Sequence, residues 1–171
     1  MRMEQLYLME NIDSLIELYD EHLTFFPEYK RALFEIKKLR DFYQDWFKQV
    51  DVKAYKKKIY SVEAFSNHVL EIGTFHLNYS SRDNSSGKYN GKYMILWKRD
   101  SGGSLKILSE IFGAYQYIEP EDVPYADVHV EESNFVAKHT VGKRLLKEIN
   151  DFNNEVIKAV AEGDAETRAN G

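Results

Sequence analysis

Residues 91–107 hold the pattern that most narrows what this chain can become. From Gly91 to Lys98 the side chains alternate, with Tyr93, Ile95 and Trp97 on one face and Met94, Leu96 and Lys98 on the other. Ser101, Gly102 and Gly103 then form a flexible turn, and alternation resumes at Leu105. A period of two on either side of such a turn is an antiparallel hairpin. A similar strand, residues 69–80, precedes it, so two long hairpins follow one another. Apolar residues stand on both faces of these strands, whereas a sheet with water on one side alternates more cleanly. One face is therefore expected to line a core or cavity and the other to meet a cover, a dimer partner being the simplest.

The first third has a helical period instead. Ile12, Leu15, Ile16 and Tyr19 predict a helix over residues 9–19. A short apolar strand, residues 22–26, stops at Pro27 as an edge strand would. Ile36, Leu39, Tyr43 and Trp46 or Phe47 predict a second helix over about 29–47. After Asp51 the period becomes two: residues 54–64 read as a strand, with Ile59, Ser61 and Glu63 on one face and Tyr60, Val62 and Ala64 on the other. Further strands are expected over 88–99 and 105–117, and Pro120 and Pro124 end the sheet. The division expected is a domain over 1–120, a linker over 121–142 and an amphipathic helix within 143–171. Leu145, Leu146, Ile149, Phe152, Val156, Ile157 and Val160 make that helix's stripe, with Gly163 placed as a cap.

Composition removes several classes of function. The chain has 171 residues and no cysteine, so disulfides, thiolate metal sites and cysteine nucleophiles are excluded. No apolar run approaches the roughly 20 residues of a membrane span, and residues 1–5 lack a signal-peptide pattern. A soluble, cytoplasmic protein is expected, with no membrane partner. The net charge is −5 and the one basic run, residues 53–58, reads as a solvated strand face, so no nucleic-acid partner is expected. His68, His129 and His139 are too scattered for metal-ligand spacing, and no glycine-rich loop opens a helix to cradle phosphate. Neither metal nor cofactor is expected.

The order helix, short strand, helix, long antiparallel sheet resembles the nuclear-transport-factor-2-like superfamily, in its SnoaL-like polyketide cyclase and ketosteroid-isomerase-like branch. The resemblance lies in residues 18–27, 39–43, 70–75, 91–97 and 103–112, and spans about 9–117. It implies an α+β cone: helices packed on a curved antiparallel sheet, an apolar pocket between them, and a homodimer formed through the outer sheet face. The match departs where family members carry a glycine, near Phe34 and Glu35. Residues 152–165 also resemble the family's first helix, either as the start of a truncated second repeat or as a helix packed in cis or across a dimer.

Two carboxylates are candidates for chemistry. A carboxyl group in an apolar pocket has a raised pKa and exchanges protons near neutrality. Glu110 lies on a strand between apolar neighbours, is expected to share a face with Leu108 and Phe112, and matches a position often acidic in the family. Glu71 shares a face with Val69, Gly73 and Phe75. Tyr43, Trp46, Phe75, Tyr93, Trp97 and Phe112 are expected to line the pocket. The function expected is binding of a small apolar or amphipathic ligand without catalysis. The alternative is an isomerase or cyclase in which Glu110 or Glu71 is general base on a carbonyl compound, with Tyr43 or Tyr93 donating to the oxyanion.

Overall fold

The computed structural model describes residues 3–82, 85–131 and 142–162. The chain divides into two units, residues 1–134 and 135–171. In the first, the helix expected over 9–19 is only α2 (Ile12–Ile16), and a separate short helix, α1 (Met3–Leu8), precedes it. Glu10 breaks them apart with a left-handed φ of 49°, and the Asn11 side chain accepts from the Ser14 amide at 3.0 Å, starting α2. β1 (Tyr19–Phe26) begins where the first helix was expected to end. Residues 27–35 are irregular: Tyr29 has a φ of 59°, and Leu33 exchanges two backbone hydrogen bonds of 2.9 Å with Phe25. α3 therefore starts late, at Ile36, and runs to Gln49.

Four long strands follow: β2 (Val50–Phe65), β3 (His68–Ser81), β4 (Ser86–Arg99) and β5 (Leu105–Ala114). The sheet order is β1-β5-β4-β3-β2. All neighbours are antiparallel except β1, which runs parallel to β5 and makes the sheet mixed. Two of the sheet's irregularities decide which way the residues of interest point. Ile59 pairs with Gly73 and Ser61 with Ile72, so Tyr60 is a bulge, and Ile59 shares its face with Val62 rather than with Ser61. Likewise Trp97 pairs with Ile107 and Leu96 with Ser109, leaving Leu108 unpaired. Glu110 accordingly shares the inner face with Ile107 and Phe112, not with Leu108.

α3 lays Leu39, Phe42, Tyr43 and Trp46 against the concave face, where Phe25, Phe75, Ile95 and Ile107 are also buried. Each such side chain contributes about 1.5–3 kcal/mol by leaving water. Val123, Tyr125 and Val128 belong to the same core, although their segment was expected to be a linker. Room for so many rings comes from a repeated cross-strand pairing: Gly73 opposite Tyr93, Phe75 opposite Gly91, Tyr79 opposite Gly87. Each ring lies over the glycine facing it, so no side chain could stand there.

The second unit contains α4 (Lys143–Glu162). Two pairs at four-residue spacing, Arg144 with Glu148 at 2.9 Å and Lys147 with Asp151 at 2.5 Å, brace its polar side. The expected cap at Gly163 and the helical start after it lie outside the described residues.

Gly91 gives a sharp test of the ring-over-glycine arrangement. A Cβ there would stand 2.1 Å from the Gly113 carbonyl oxygen and 2.8 Å from the Phe75 ring. Gly91→Ala is expected to cost about 2–3 kcal/mol in urea unfolding. At Gly103, where φ is 86° and nothing lies within 4 Å, alanine should cost only about 1 kcal/mol.

Candidate functional site

The two candidate carboxylates fall in one cross-strand row. Glu110 stands opposite Phe25 on one side and Ile95 on the other, and Ile95 in turn faces Glu71. Both acids project from the inner face, two strands and about 10 Å apart along the row. Their environments differ sharply.

Glu110 is buried at 4% exposure. The Tyr19 hydroxyl donates to its Oε2 at 2.5 Å. A phenol has one proton, so the 3.0 Å contact between Tyr19 and Tyr43 must be donated by Tyr43, and the 2.8 Å contact between Tyr43 and Tyr7 by Tyr7. A chain Tyr7, Tyr43, Tyr19, Glu110 thus joins α1, α3, β1 and β5. Burial pushes the Glu110 carboxyl up from its ordinary pKa, and the Glu71 charge adds to this. The Lys57 charge and the Tyr19 hydrogen bond oppose it without prevailing. Burial also raises all three tyrosines, which stay neutral.

Glu71 is half-buried and ionised. Lys57 Nζ donates to Oε1 at 2.9 Å, the Tyr93 hydroxyl to the same oxygen at 2.7 Å, and Trp97 Nε1 to Oε2 at 3.1 Å. Burial alone would raise its pKa, but the Lys57 charge and these three hydrogen bonds hold it below the usual value. The Lys57 ammonium also lies 3.9 Å over the Tyr93 ring.

Of the six aromatics expected to line a pocket, Trp46, Phe75, Tyr93 and Phe112 border a hollow beside Glu110. Tyr43 is part of the hydroxyl chain, and Trp97 serves Glu71. The hollow measures about 20 Å³, room for one water molecule. Trp46 Nε1 is buried with no hydrogen-bond partner among the described residues.

A third carboxylate was not singled out from the sequence. Glu28, in the loop after β1, accepts from the Tyr89 hydroxyl at 2.7 Å and from the Ala114 amide at 2.9 Å. Tyr89 in turn receives the Tyr125 proton at 3.2 Å. The acids expected to matter could be picked out by strand parity, but Glu28 sits in an irregular loop that offers none. Elsewhere, His76 pairs with the Asn90 side chain at 3.1 Å. Among the described residues no three His, Asp or Glu side chains are grouped so as to hold a metal ion, and no helix is long and apolar enough to cross a membrane.

Glu110 and Glu71 should leave opposite marks on stability. A carboxyl raised in the folded state stabilises below its unfolded pKa, about 4.3, and loses that contribution as pH climbs through the raised value. A lowered one stabilises above about 4.3 and loses its contribution as pH falls. In urea unfolding across pH, Glu110→Gln is expected to gain on the wild type as pH rises, and Glu71→Gln to lose the wild type's advantage above acid pH.

No protein-family profile matches the chain, and no curated protein matches it by sequence. Solved structures do match in backbone. A ketosteroid isomerase-like protein from Erwinia carotovora atroseptica superposes with a TM-score of 0.61 at 11% identity, over 66% of this chain and 88% of its own. A conserved protein from Planctomyces limnophilus gives 0.59 at 10%, over 64% and 84%. An NTF2-like protein from Cytophaga hutchinsonii gives 0.55 at 14%, over 64% and 87%. With α1–α3 packed against a curved, unclosed five-stranded sheet, the first unit of this chain has the nuclear-transport-factor-2-like fold.

Proposed function

We propose that the chain is a non-catalytic binding domain whose working surface is the outer face of the sheet, taken by a second copy of itself. One observation carries this reading. Phe26, Ile111, Met94 and Ile72 are paired residue to residue across four strands and form a continuous outer row. They are 36–48% exposed, and the row borders an apolar hollow of about 480 Å³. Beside it runs a second row, Lys58, Thr74 and Lys92, and on its other side Leu70 and Leu96. A two-fold axis along the apolar row sets apolar against apolar. It lays the lysine stems of each copy over the leucines of the other, so the ammonium groups do not meet.

The hollow is also of a size that takes a small molecule, so a small apolar or amphipathic ligand competes for the same place. A concentration series by sedimentation equilibrium separates the two. The wild type should dimerise and Met94→Glu should weaken association about 100-fold or more, because the charge is buried twice. A variant that sediments like the wild type overturns the dimer reading. A monomeric wild type that retains one apolar probe per chain gives the hollow to a ligand instead.

The isomerase or cyclase reading draws support from one fact, that the row holds two carboxylates whose pKa values are pushed in opposite directions, as in acid–base pairs. Against it stand the size of the interior hollow and the full commitment of Glu71 to Lys57, Tyr93 and Trp97. Proton exchange at the α-carbon of small cyclic ketones, followed by NMR, is expected to be no faster with the wild type than with Glu110→Gln. A difference of about 100-fold between them, the usual minimum for a positioned base, would restore the enzyme.

A further inference from the structure

The two edges of the sheet are finished differently. β1 is closed by Leu33, which satisfies both polar groups of Phe25. Along β2 the finish stops halfway. In its first half the outward amide of Val52 donates to Glu10 Oε1 at 3.4 Å and that of Lys57 to Glu4 Oε1 at 2.9 Å, so the α1 segment covers this stretch. Lys53, Lys56, Lys57 and Lys58 lie along it, as on protected natural edges. From Ile59 to Phe65 no side chain of the described residues caps the backbone. Ile59, Tyr60, Val62 and Phe65 are 50–61% exposed. The segment has one charge, Glu63, and no proline. It is a strand with a free side.

We propose that this open half of β2 pairs antiparallel with the same segment of a second copy. The charges choose that partner. The open run starts just after Lys58 and carries Glu63 towards its far end, and both lie on the outer face, opposite Thr74 and Leu70. In an antiparallel pair related by a two-fold, the bulges at Tyr60 meet near the axis. Val62 then stands opposite Ile59 of the second copy on the inner face, and Glu63 opposite Lys58 on the outer face. Two reciprocal ion pairs form and no like charges meet. The Tyr60 bulge makes this possible: without it, residues 58 and 63 would point to opposite faces. Pairing ends at Lys57, where the amide is already taken by Glu4. The contact is short, and it is separate from the outer-face contact proposed above.

The test uses the full chain carrying Met94→Glu, so that association through the outer face is removed, and reads sedimentation equilibrium. Residual self-association is expected. Glu63→Lys should weaken it about tenfold or more, since two attractive pairs become repulsive, and Lys58→Glu should do the same. The double swap Lys58→Glu with Glu63→Lys should restore it, which a merely structural role for either residue would not. Val62→Pro removes an outward donor without touching the ladder to β3 and should abolish the association, with far-ultraviolet circular dichroism confirming that the fold stands. The proposal is overturned if the Met94→Glu chain shows no self-association, or if the double swap fails to recover what the single changes lose. If Met94→Glu sediments like the wild type while Val62→Pro dissociates it, the outer-face reading fails and the edge pairing stands.

Discussion

A buried phenol must place its one proton on something, and this core buries many phenols. A hydroxyl can pass the obligation to another hydroxyl, but a row of hydroxyls still ends on a donor. Only an acceptor without a proton of its own, or one with a lone pair to spare, closes the row. Carboxyl groups do this three times. Tyr7, Tyr43 and Tyr19 end on Glu110; Tyr125 and Tyr89 end on Glu28; Tyr93 ends on Glu71. Every one of these rows crosses between different elements, and the first two join elements far apart in the chain. The first ties both helical layers to the sheet, the second ties the segment after β5 to the loop after β1, and the third ties the middle strands together. An unmatched donor in such a place costs about 1–3 kcal/mol, so the acids are constrained by the tyrosines before any chemistry is asked of them.

This constraint bears directly on function. Two acids on the inner face of the sheet and a third in the loop after β1 look like catalytic material, yet each is already occupied as an acceptor. The rings that carry the hydroxyls fill the concave side, helped by the glycines facing them, and leave a hollow for a single water beside Glu110. An exposed apolar row lies on the other side of the sheet. A fold that in outline could hold a ligand between helices and sheet has here spent that volume on packing.

Much of this was legible in residue order. The period of two after Asp51, the Gly-rich turn at 101–103 and the helical stripe of Leu39, Tyr43 and Trp46 all correspond to elements of the structure. Glu110 and Glu71 read as acids standing among apolar neighbours, and both face inward. What order could not show has physical reasons. The bulges at Tyr60 and Leu108 leave no trace in a hydrophobic pattern, because one extra residue looks like ordinary alternation carried one step too far. The parallel pairing of β1 with β5 joins residues such as Phe25 and Glu110 that no local rule connects. The break at Glu10 depends on one left-handed residue that is not a glycine. Glu28 is separated from Tyr89 by 61 positions and from Ala114 by 86, so its role exists only in the folded state.

The unpaired Leu108 has a meaning for how such a sequence can change. Because β5 carries one residue more than β4 at this point, Ile107 and Glu110 stand three positions apart and still share the inner face. Regular alternation gives that only to residues two apart, so losing one residue between them would straighten the strand and leave both side chains inward. Keeping the count while flattening the bulge would instead turn one of the two outward, and with Glu110 turned the Tyr19 proton would be stranded. Spacing and bulge can therefore change only together.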